Sequence, residues 1–428
     1  MVVAFLDIWV AIVVTIMVIY AARHWYFTLN RMLMRQRPFY QDLYDGDLPA
    51  LSVVVPMHNE GSVARAVLDA LLASDYPHDR LEIIPIDDHS HDDTTAILIQ
   101  YRERETIVAP VFVVAGDRGK PNAMNIALRV ASHDIVLVFD ADYTPGRGLL
   151  RELAMGFVDP EVGAVMGRVV PRNTATNLLT RLLSLERSGG YQVDQQARYN
   201  LDLMPQYGGT VGGFRRSLVS RLGGFDVDML AEDTDLTLRL FLEGWKVVYA
   251  NRAECYEEVP ETWDARFTQL RRWSRGHNRA LYNNLLAVLQ SKHLRFAQKV
   301  DGILLLAVYI IPPILLSGLA ANALLFFMGA LPIWSPLALT FFVISYNAFG
   351  NFGPVYEIGA AELLDDSNER IHLLPYLFYL FLFNSWSVTS GVLDTVGDLI
   401  KDRSPFWEKT KRAAEIDIET SGGPNVPA

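Results

Sequence analysis

The sequence predicts an α/β domain built on a parallel sheet, bracketed by helices that are apolar enough to cross a membrane. Between residues 51 and 139, short apolar runs alternate with segments of helical spacing. Strands that alternate with helices of about 10 to 15 residues are typical of a parallel sheet covered on both faces. The strand segments lack polar alternation, which fits burial on both faces. Four long apolar stretches flank the domain, in a chain of 428 residues that is 50% hydrophobic.

The elements follow in a regular order in the first half of the domain and a looser one in the second. In the first half, we predict strands at residues 51–56, 81–86, 108–114 and 135–139, and helices at 62–72, 92–101 and 121–130. In the second half, we predict strands at 162–170, 210–214 and 246–250, and helices at 178–198, 233–242 and 265–289. Glycines surround the segment 210–214, which predicts a strand near a ligand, where backbone must approach closely.

The membrane prediction depends on length, apolar character and flanking charge. The apolar stretches are residues 3–27, 303–328, 332–349 and 373–393, and about 18 such residues can cross a bilayer core of roughly 30 Å. The first could be a signal peptide, but it lacks a basic n-region. Four arginines follow it, at Arg23, Arg31, Arg35 and Arg37. Positive residues mark the cytoplasmic side, so we expect the middle domain in the cytoplasm. Basic residues after the last span favour a cytoplasmic C-terminus, which requires a re-entrant segment such as the one at Pro312-Pro313.

Composition and residue spacing argue against nucleic-acid binding, an internal disulfide and a zinc site. The net charge is −11 and the middle domain has no dense basic stripe, which argues against binding nucleic acid. Cys255 is the single cysteine, so no disulfide can form within the chain. The histidines at positions 58, 89 and 91 lack the spacing of a zinc site.

Two carboxylates follow the fourth predicted strand, in the run Asp140-Ala141-Asp142. Ligands of open α/β sheets bind at the carboxyl ends of strands. Carboxylate oxygens suit a hard divalent cation that also takes phosphate oxygens. Read alone, the pattern fits a turn or a helix cap equally well.

Three more polar residues stand at predicted strand ends or helix starts. Asp88 ends the second strand, where it could contact a nucleoside or cap the next helix. Glu60 follows the first strand, where it could line the same rim or stabilise a helix N-terminus. Lys120 precedes a helix that Pro121 can start, which favours a phosphate nearby, although an exposed lysine is usually solvated surface.

Together these clusters resemble the catalytic domain of family 2 glycosyltransferases, which has the GT-A fold. Ala231-Glu232-Asp233 resembles the family's Thr-Glu-Asp motif, with alanine in place of threonine. Gln269-Leu270-Arg271-Arg272-Trp273 matches its Gln-x-x-Arg-Trp motif, and Gly209-Thr210 resembles an acceptor-side loop. The plan resembles the membrane-embedded processive branch, which includes the cellulose, hyaluronan, chitin-oligosaccharide and poly-N-acetylglucosamine synthases. The resemblance covers residues 51 to 276.

The resemblance implies an inverting, metal-dependent transfer from a UDP-sugar, with Mg²⁺ or Mn²⁺ as the metal. It assigns the general base to Asp233, beside Glu232, and the metal to Asp142 and Asp140. It assigns the nucleotide sugar to Glu60, Asp88, Lys120, Asp140, Gln269, Arg272 and Trp273, and the acceptor to Trp273, Gly209 and Thr210. Read alone, Glu232 and Asp233 fit a first-turn acidic pair, and Arg272 and Trp273 fit membrane-interface anchors.

The predicted fold class is therefore an α/β GT-A (Rossmann-like) cytoplasmic domain plus transmembrane α-helices. We expect an N-terminal span at residues 1–28, the GT-A domain at 40–264, interfacial helices at 265–300, channel-forming spans at 301–398 and a tail at 399–428. The expected location is the plasma (inner) membrane, crossed several times.

The function that this plan implies is synthesis and export of a β-linked polysaccharide. UDP-glucose and UDP-N-acetylglucosamine are the expected donors, and a growing glycan is the acceptor. Membrane lipid and an accessory or export subunit are the other expected partners. Two alternatives stay open. One is a single transfer to a lipid acceptor, and the other is a non-catalytic scaffold or transporter, for which charges within the spans are expected. The sequence does not identify the sugar or the linkage.

Overall fold

A computed structural model describes residues 1–37, 48–114, 116, 119–330, 354–366 and 368–401. Within this part of the chain, eight strands form one sheet, and helices pack on both of its faces. The apolar stretch at 332–349 and the tail beyond residue 401 lie outside the described residues. The same holds for residues 40–47 of the predicted catalytic domain.

The sheet contains every strand that the sequence predicts. The strands are β1 Leu51–Met57, β2 Leu81–Asp88, β3 Val111–Val113, β4 Ile135–Val138, β5 Thr144–Pro145, β6 Val162–Pro171, β7 Gly212–Arg215 and β8 Lys246–Glu257. Their order is β3-β2-β1-β4-β7-β6-β8-β5. The first four in this order are parallel, as predicted.

The second half of the sheet corrects the prediction of an all-parallel arrangement. Strand β7 lies between β4 and β6 and is antiparallel to both, while β5 is antiparallel to β8. A Cβ on Gly212 would meet the carbonyl oxygen of Val165, and one on Gly213 would meet that of Val136. These two glycines therefore allow close strand pairing, and not the close approach to a ligand that the sequence suggested.

Helices supply the rest of the described structure. They are α1 Val2–Leu33, α2 Ala64–Leu72, α3 Thr94–Arg104, α4 Lys120–Val130, α5 Leu149–Met155, α6 Leu178–Ser188, α7 Gln196–Asn200, α8 Arg216–Arg221, α9 Glu232–Leu242, α10 Trp263–Gln290, α11 Phe296–Leu306, α12 Ile311–Phe327, α13 Val355–Leu364 and α14 Leu377–Ile400. A π-helical segment, Gly189–Gln195, joins α6 to α7 into one continuous helical stretch.

Alternate residues of the central strands pack into two hydrophobic cores, one on each face of the sheet. Val53 of β1 packs into a cluster with Leu68 of α2. Its neighbour Val54 packs into a second cluster with Ala127 of α4 and Leu236 of α9. All five side chains are fully buried, at 0% exposure. Because helices cover both faces, the carboxyl ends of the strands are the part of the sheet left open for a ligand.

Two of the described helices are long and apolar enough to cross a membrane. They are Val2–Leu33 and Glu369–Ile400, the second of which joins a 3₁₀-helical segment to α14. A third candidate is the pair Phe296–Tyr309 and Ile311–Phe327, which bends by 67° at its break. Prolines stand in the first turn after that break, at the position where the sequence predicted a re-entrant segment. A proline has no N–H for the preceding turn, which is the usual cause of such a bend.

Candidate active site

One cavity of about 1000 Å³ brings the predicted site residues together. Its lining includes Glu60, Asp88, Lys120, Asp140, Asp142, Thr210, Glu232, Asp233, Gln269, Arg272 and Trp273. Asp88, Asp142 and Asp233 come from distant parts of the sequence, yet all three line this cavity. Gly209 is the one predicted site residue outside the lining. It packs behind Asp233, where an added Cβ would lie 3.1 Å from the Asp233 Cβ.

The first part of the cavity wall, which we call the strand-tip wall, comes from the ends of β1, β2 and β4 and the start of α4. It comprises Glu60, Asp88, Lys120, Asp140 and Asp142. Asp88 Oδ2 accepts the backbone N–H of Gly119 at 2.7 Å, and Oδ1 lies 2.7 Å from His89 Nδ1. Asp88 therefore links the end of β2 to the start of α4 through a hydrogen bond. The alternative prediction, in which Asp88 caps α3, is wrong.

Lys120 is an ion-pair partner in this wall and not solvated surface. Its Nζ lies 2.7 Å from Asp140 Oδ1 and 3.9 Å from Glu232 Oε1. Burial alone would lower the pKa of Lys120, but Asp140 and Glu232 raise it above its ordinary value. Lys120 therefore stays cationic beside the carboxylates of Asp140 and Glu232. The backbone N–H of Asp140 also donates to Thr210 Oγ1 at 3.1 Å, which ties the predicted acceptor-side loop to the strand tip.

Glu232 and Asp233 occupy the first turn of α9 and line the cavity. Burial raises the pKa of Glu232 to about 7, since Lys120 at 3.9 Å is only a partial counter-charge and Asp233 adds repulsion. Asp233 Oδ1 accepts the backbone N–H of Thr234 at 2.7 Å. Gly209, with a φ of 73°, packs against the other side of this carboxylate. The pair is thus a first-turn acidic pair whose side chains also form part of the site.

The Gln-x-x-Arg-Trp residues share one side of α10, because positions three and four apart on a helix are neighbours. Arg266 Nη1 donates to Gln269 Oε1 at 2.9 Å. The guanidinium of Arg187 lies 5.0 Å from the centre of the Trp273 ring. Burial lowers the pKa of Arg272, while Glu232, Asp140 and other acidic groups nearby raise it in part.

The second part of the wall, which we call the helical wall, contains residues that the sequence analysis did not select. It includes Glu186, Arg187, Tyr191, Arg198, Glu257, His277, Leu304, Leu305 and Val308. Glu257 is buried, and it accepts hydrogen bonds from Arg187 Nε and from the Tyr143 hydroxyl, each at 2.8 Å. These partners are far apart in the sequence and leave no local signal. His277 could have been found, because it lies four residues after Trp273 on the same side of α10.

Among the described residues, one group of three has the geometry to hold a metal ion, namely His24, Asp194 and Glu357. Arg23 Nη2 donates to Asp194 Oδ1 at 3.3 Å, and Arg198 Nε donates to Oδ2 at 3.0 Å. Both oxygens of this carboxylate are therefore already paired with cations. Two guanidinium groups beside the cluster disfavour a second cation, so we interpret it as a buried ion-pair network.

Comparison with known proteins identifies the family. The family model described as "Glycosyl transferase family group 2" matches residues 135–351, about half of the 428 residues. "Probable glycosyltransferase YdaM" of Bacillus subtilis (strain 168) is 32% identical over 291 residues, which cover 67% of this chain and 68% of that protein. Poly-beta-1,6-N-acetyl-D-glucosamine synthase of Staphylococcus aureus (strain COL) is 27% identical over 272 residues, which cover 63% of this chain and 64% of the synthase.

The fold also matches a solved structure, that of mannosyltransferase PcManGT from Pyrobaculum calidifontis in complex with GDP-Man and Mn²⁺. The TM-score is 0.60 at 21% identity, and the match covers 93% of this chain and 99% of that one. This likeness, together with the mixed eight-stranded sheet, confirms the predicted GT-A fold. The chain therefore belongs to glycosyltransferase family group 2 and is an enzyme that transfers a sugar.

Proposed function

We propose that the chain is an inverting, processive glycosyltransferase that adds sugars from a UDP-sugar to a growing β-linked glycan. The observation that carries this proposal is the single cavity lined by Asp88, Asp142 and Asp233. The same cavity is lined by Arg23 of α1 and Leu304 of α11, which belong to candidate membrane helices. Donor and acceptor could therefore meet beside helices that lead the product into the membrane.

The donor would lie along the strand-tip wall. Glu60 and Asp88 would contact the nucleoside, and Lys120 would face the diphosphate. The start of α4 adds backbone N–H groups, which favour an anion at a helix N-terminus. The fold neighbour PcManGT was solved with a nucleotide sugar. The similarity to the poly-beta-1,6-N-acetyl-D-glucosamine synthase of Staphylococcus aureus supports UDP-N-acetylglucosamine over UDP-glucose as the donor of this chain.

Asp140 and Asp142 fit a divalent metal, because carboxylates at a rigid strand tip supply the hard oxygen ligands that Mg²⁺ and Mn²⁺ prefer. Asp142 would bind the ion and Asp140 would support it, since Lys120 already contacts Asp140 at 2.7 Å. When bound, the metal supplies positive charge to the departing diphosphate. Lys120 and Arg272 would add to that charge from the protein.

Asp233 would act as the general base. The acceptor oxygen forms a bond to C1 of the sugar as the bond from C1 to the diphosphate oxygen breaks, and the hydroxyl proton passes to Asp233. Its Oδ1 is held by the N–H of Thr234. Among the described residues, no donor contacts Oδ2. This oxygen is therefore available to accept the proton. The transfer requires the acceptor hydroxyl oxygen to lie about 2.6 to 3.2 Å from Oδ2.

The second candidate function is a single transfer to a lipid-linked acceptor. Leu304, Leu305 and Val308 give the helical wall an apolar portion next to candidate membrane helices. A lipid chain could lie there, whereas the hydrogen-bonding side chains of Arg187 and Glu257 suit a glycan. In either case we place the enzyme in the bacterial plasma membrane, with its catalytic domain in the cytoplasm. An accessory or export subunit would belong to the polymerising function.

Product analysis with purified protein tests both candidates. The full chain in detergent is given Mg²⁺ or Mn²⁺, membrane lipid and a panel of nucleotide sugars, and the products are analysed by mass. A ladder of lipid-free oligosaccharides supports polymerisation. One sugar on a lipid supports the second candidate, and no transfer from any donor contradicts both.

The Asp233→Asn variant tests the mechanism. We expect turnover to fall at least about a hundredfold while UDP binding is kept, because only the proton acceptor is lost. Turnover at a tenth of the wild-type rate would remove Asp233 from the mechanism. Asp235→Asn is the matched control, since Asp235 lies on the same helix but pairs with Arg239 at 2.8 Å.

A further inference from the structure

The acidic motif of this chain has an alanine, Ala231, where the family pattern has a threonine. The structure places a different hydroxyl beside the candidate base. Thr234 follows Asp233 directly, and its Oγ1 lies 3.4 Å from Asp233 Oδ1. The same oxygen of Asp233 accepts the Thr234 backbone N–H at 2.7 Å. The threonine is 1% exposed, so its hydroxyl has to find partners within the protein.

Gln206 fixes the Thr234 hydroxyl from one side. Its Nε2 donates to Thr234 Oγ1 at 2.7 Å. Gln206 is fixed in turn by Gln195 of the π-helical segment. The backbone N–H of Gln206 donates to Gln195 Oε1 at 3.0 Å, and Gln195 Nε2 donates to the Gln206 carbonyl at 3.2 Å. The amide therefore has a defined position, and its hydrogen bond leaves the threonine proton free to point elsewhere.

His277 approaches the same hydroxyl from α10. Its Nε2 lies 3.5 Å from Thr234 Oγ1, and its ring packs on Tyr309 at a centroid distance of 4.7 Å. Burial lowers the pKa of His277, so the ring is neutral near pH 7. Within the described part of the chain, its Nδ1 is buried and has no hydrogen-bond partner. An unpaired buried N–H is rarer than an unpaired acceptor, which favours the tautomer that carries its proton on Nε2.

With that tautomer, every hydrogen bond in the group runs in one direction. Gln206 and His277 both donate to Thr234 Oγ1, so the only proton of this hydroxyl is directed to Asp233 Oδ1. We infer that Gln206, His277 and Thr234 form a positioning relay that fixes the Asp233 carboxylate and turns its Oδ2 toward the acceptor hydroxyl. The two contacts above 3.3 Å are expected to shorten when substrates bind, as catalytic hydrogen bonds commonly do.

This inference rests on the proposed role of Asp233, and substitutions of Thr234 separate the two. Thr234→Val keeps the shape and removes the hydroxyl, whereas Thr234→Ser keeps the hydroxyl. We expect the valine variant to lose about tenfold to a hundredfold in kcat, the range for losing a hydrogen bond to a charged group, with KM for the nucleotide sugar changed less than about twofold. The serine variant should keep kcat within about threefold.

His277 offers a second conservative pair. The amide nitrogen of Gln in His277→Gln can replace Nε2, whereas His277→Phe keeps the ring packing on Tyr309 and removes the donor. We expect kcat within about threefold of wild type for the glutamine variant and about tenfold lower for the phenylalanine variant. Equal kcat for the two variants would remove His277 from the relay.

Thr237→Val is the structural control. Thr237 lies one turn further along α9, is also 1% exposed, and donates to the backbone carbonyl of Asp233 at 2.8 Å. It loses a buried hydroxyl without touching the carboxylate, so its melting temperature should fall while kcat of the folded protein stays within about twofold. If Thr237→Val and Thr234→Val lower kcat equally, the relay is overturned in favour of a general packing effect.

A double-mutant cycle with Asp233→Asn decides whether Thr234 acts through the base. We expect Thr234→Val to have less than a twofold further effect on the residual rate of the Asn variant, because the carboxylate that it positions is gone. The same loss in both backgrounds overturns the relay alone. Full turnover of Asp233→Asn would instead show that Asp233 is not the base, and the relay would be overturned with it. An inactive Asp233→Asn variant together with a fully active Thr234→Val variant would overturn the relay and leave the base in place.

Discussion

The strand-tip wall and the helical wall of the cavity are held together by different forces. In the strand-tip wall, the carboxyl ends of parallel strands place Asp88 and Asp140 beside the start of α4, and the side chain of Asp140 is 33% exposed. In the helical wall, Arg187 and Glu257 meet in a pair whose side chains are only 13% and 8% exposed. Backbone geometry thus positions the first wall, whereas the second depends on buried charges that stabilise each other. Substitution of Asp142 in the first wall should therefore affect chemistry, whereas substitution of Arg187 in the second should affect folding.

The largest effect is expected for Asp142→Asn in the strand-tip wall. We expect turnover to fall more than about a hundredfold, because the variant loses the charge of the proposed metal ligand. The melting temperature should change by less than about 3 °C. Asp142 is half-buried and lies after the end of β4, so it makes no strand-pairing hydrogen bonds in β4. Steady-state kinetics, UDP binding with Mn²⁺ and thermal melting of the detergent-solubilised protein measure both effects.

Asp134→Asn is the control for this comparison. Asp134 stands at the opposite end of the same strand, is exposed, and accepts the Ser217 backbone N–H at 2.8 Å. It should leave turnover within about twofold of wild type. If Asp142→Asn unfolds the protein or keeps its turnover, the strand tip is a structural element and the contrast between the walls fails.

The next largest effect is expected for Arg187→Met in the helical wall. Removal of the arginine leaves the Glu257 carboxylate buried. Among the described residues, the Tyr143 hydroxyl is then the one remaining hydrogen-bond donor to its two oxygens. An uncompensated buried charge costs about 4 kcal/mol. Chemical or thermal unfolding in detergent should show this loss.

A neighbouring pair provides the matched control. Arg172 and Glu258 also lie 2.8 Å apart, but their side chains are 39% and 43% exposed. Arg172→Met should cost less than about 1 kcal/mol, as exposed ion pairs do. Equal costs for the two arginines would contradict the claim that buried charge holds the helical wall.

The sequence predicts the strand-tip wall better than the helical wall. Asp88, Lys120 and Asp142 line one cavity, as the sequence predicts, because a parallel sheet brings the ends of its strands to one edge. No such rule links Arg187 to Glu257, which are 70 residues apart. Their proximity depends on the packing of α6 against the sheet, and periodicity does not encode which helix covers which strand.

The sheet itself shows a second limit of the sequence. An apolar run predicts a strand but does not show whether the strand pairs in a parallel or an antiparallel direction. The sequence therefore does not predict that β7 is antiparallel to its neighbours. Strand β8 was predicted to end at Ala250, yet it continues to Glu257. Asn251, Arg252 and Glu254 interrupt the apolar run there, while pairing with β6 goes on after a register shift. The end of β8 is therefore determined by its backbone pairing with β6 and not by the polarity of its side chains.

A smaller and pH-dependent effect is expected at Glu232, where the two walls meet. Its pKa is raised from 4.5 to about 7, chiefly by burial. A carboxyl whose pKa is higher in the folded state gives its full stabilisation below pH 4.5 and loses it as the pH rises through about 7. The shift corresponds to about 3 kcal/mol at most. Wild-type melting temperature, measured from pH 5 to 8, should therefore fall with rising pH.

Glu232→Gln should flatten this fall, because glutamine does not ionise. Glu243→Gln is the control, since Glu243 follows the same helix at its other end and is exposed. It should leave the pH dependence unchanged. A wild-type curve as flat as that of Glu232→Gln would mean that Lys120, at 3.9 Å, keeps the carboxylate charged in the folded protein.

The smallest effect is expected for Gly209→Ala, which tests how closely the predicted acceptor-side loop positions Asp233, the proposed base. Gly209 and Gly223 both have left-handed backbones, with φ of 73° and 92°. Alanine at either position should cost about 1 kcal/mol of stability, because L side chains rarely adopt this conformation. The surroundings of the added methyl differ between the two positions. At Gly209 it would lie 3.1 Å from the Asp233 Cβ, whereas at Gly223 no atom of the described residues lies within 4 Å. Only Gly209→Ala should then lower kcat, by about tenfold. If both variants keep the wild-type kcat, α9 alone positions Asp233 and the loop contributes nothing to the base.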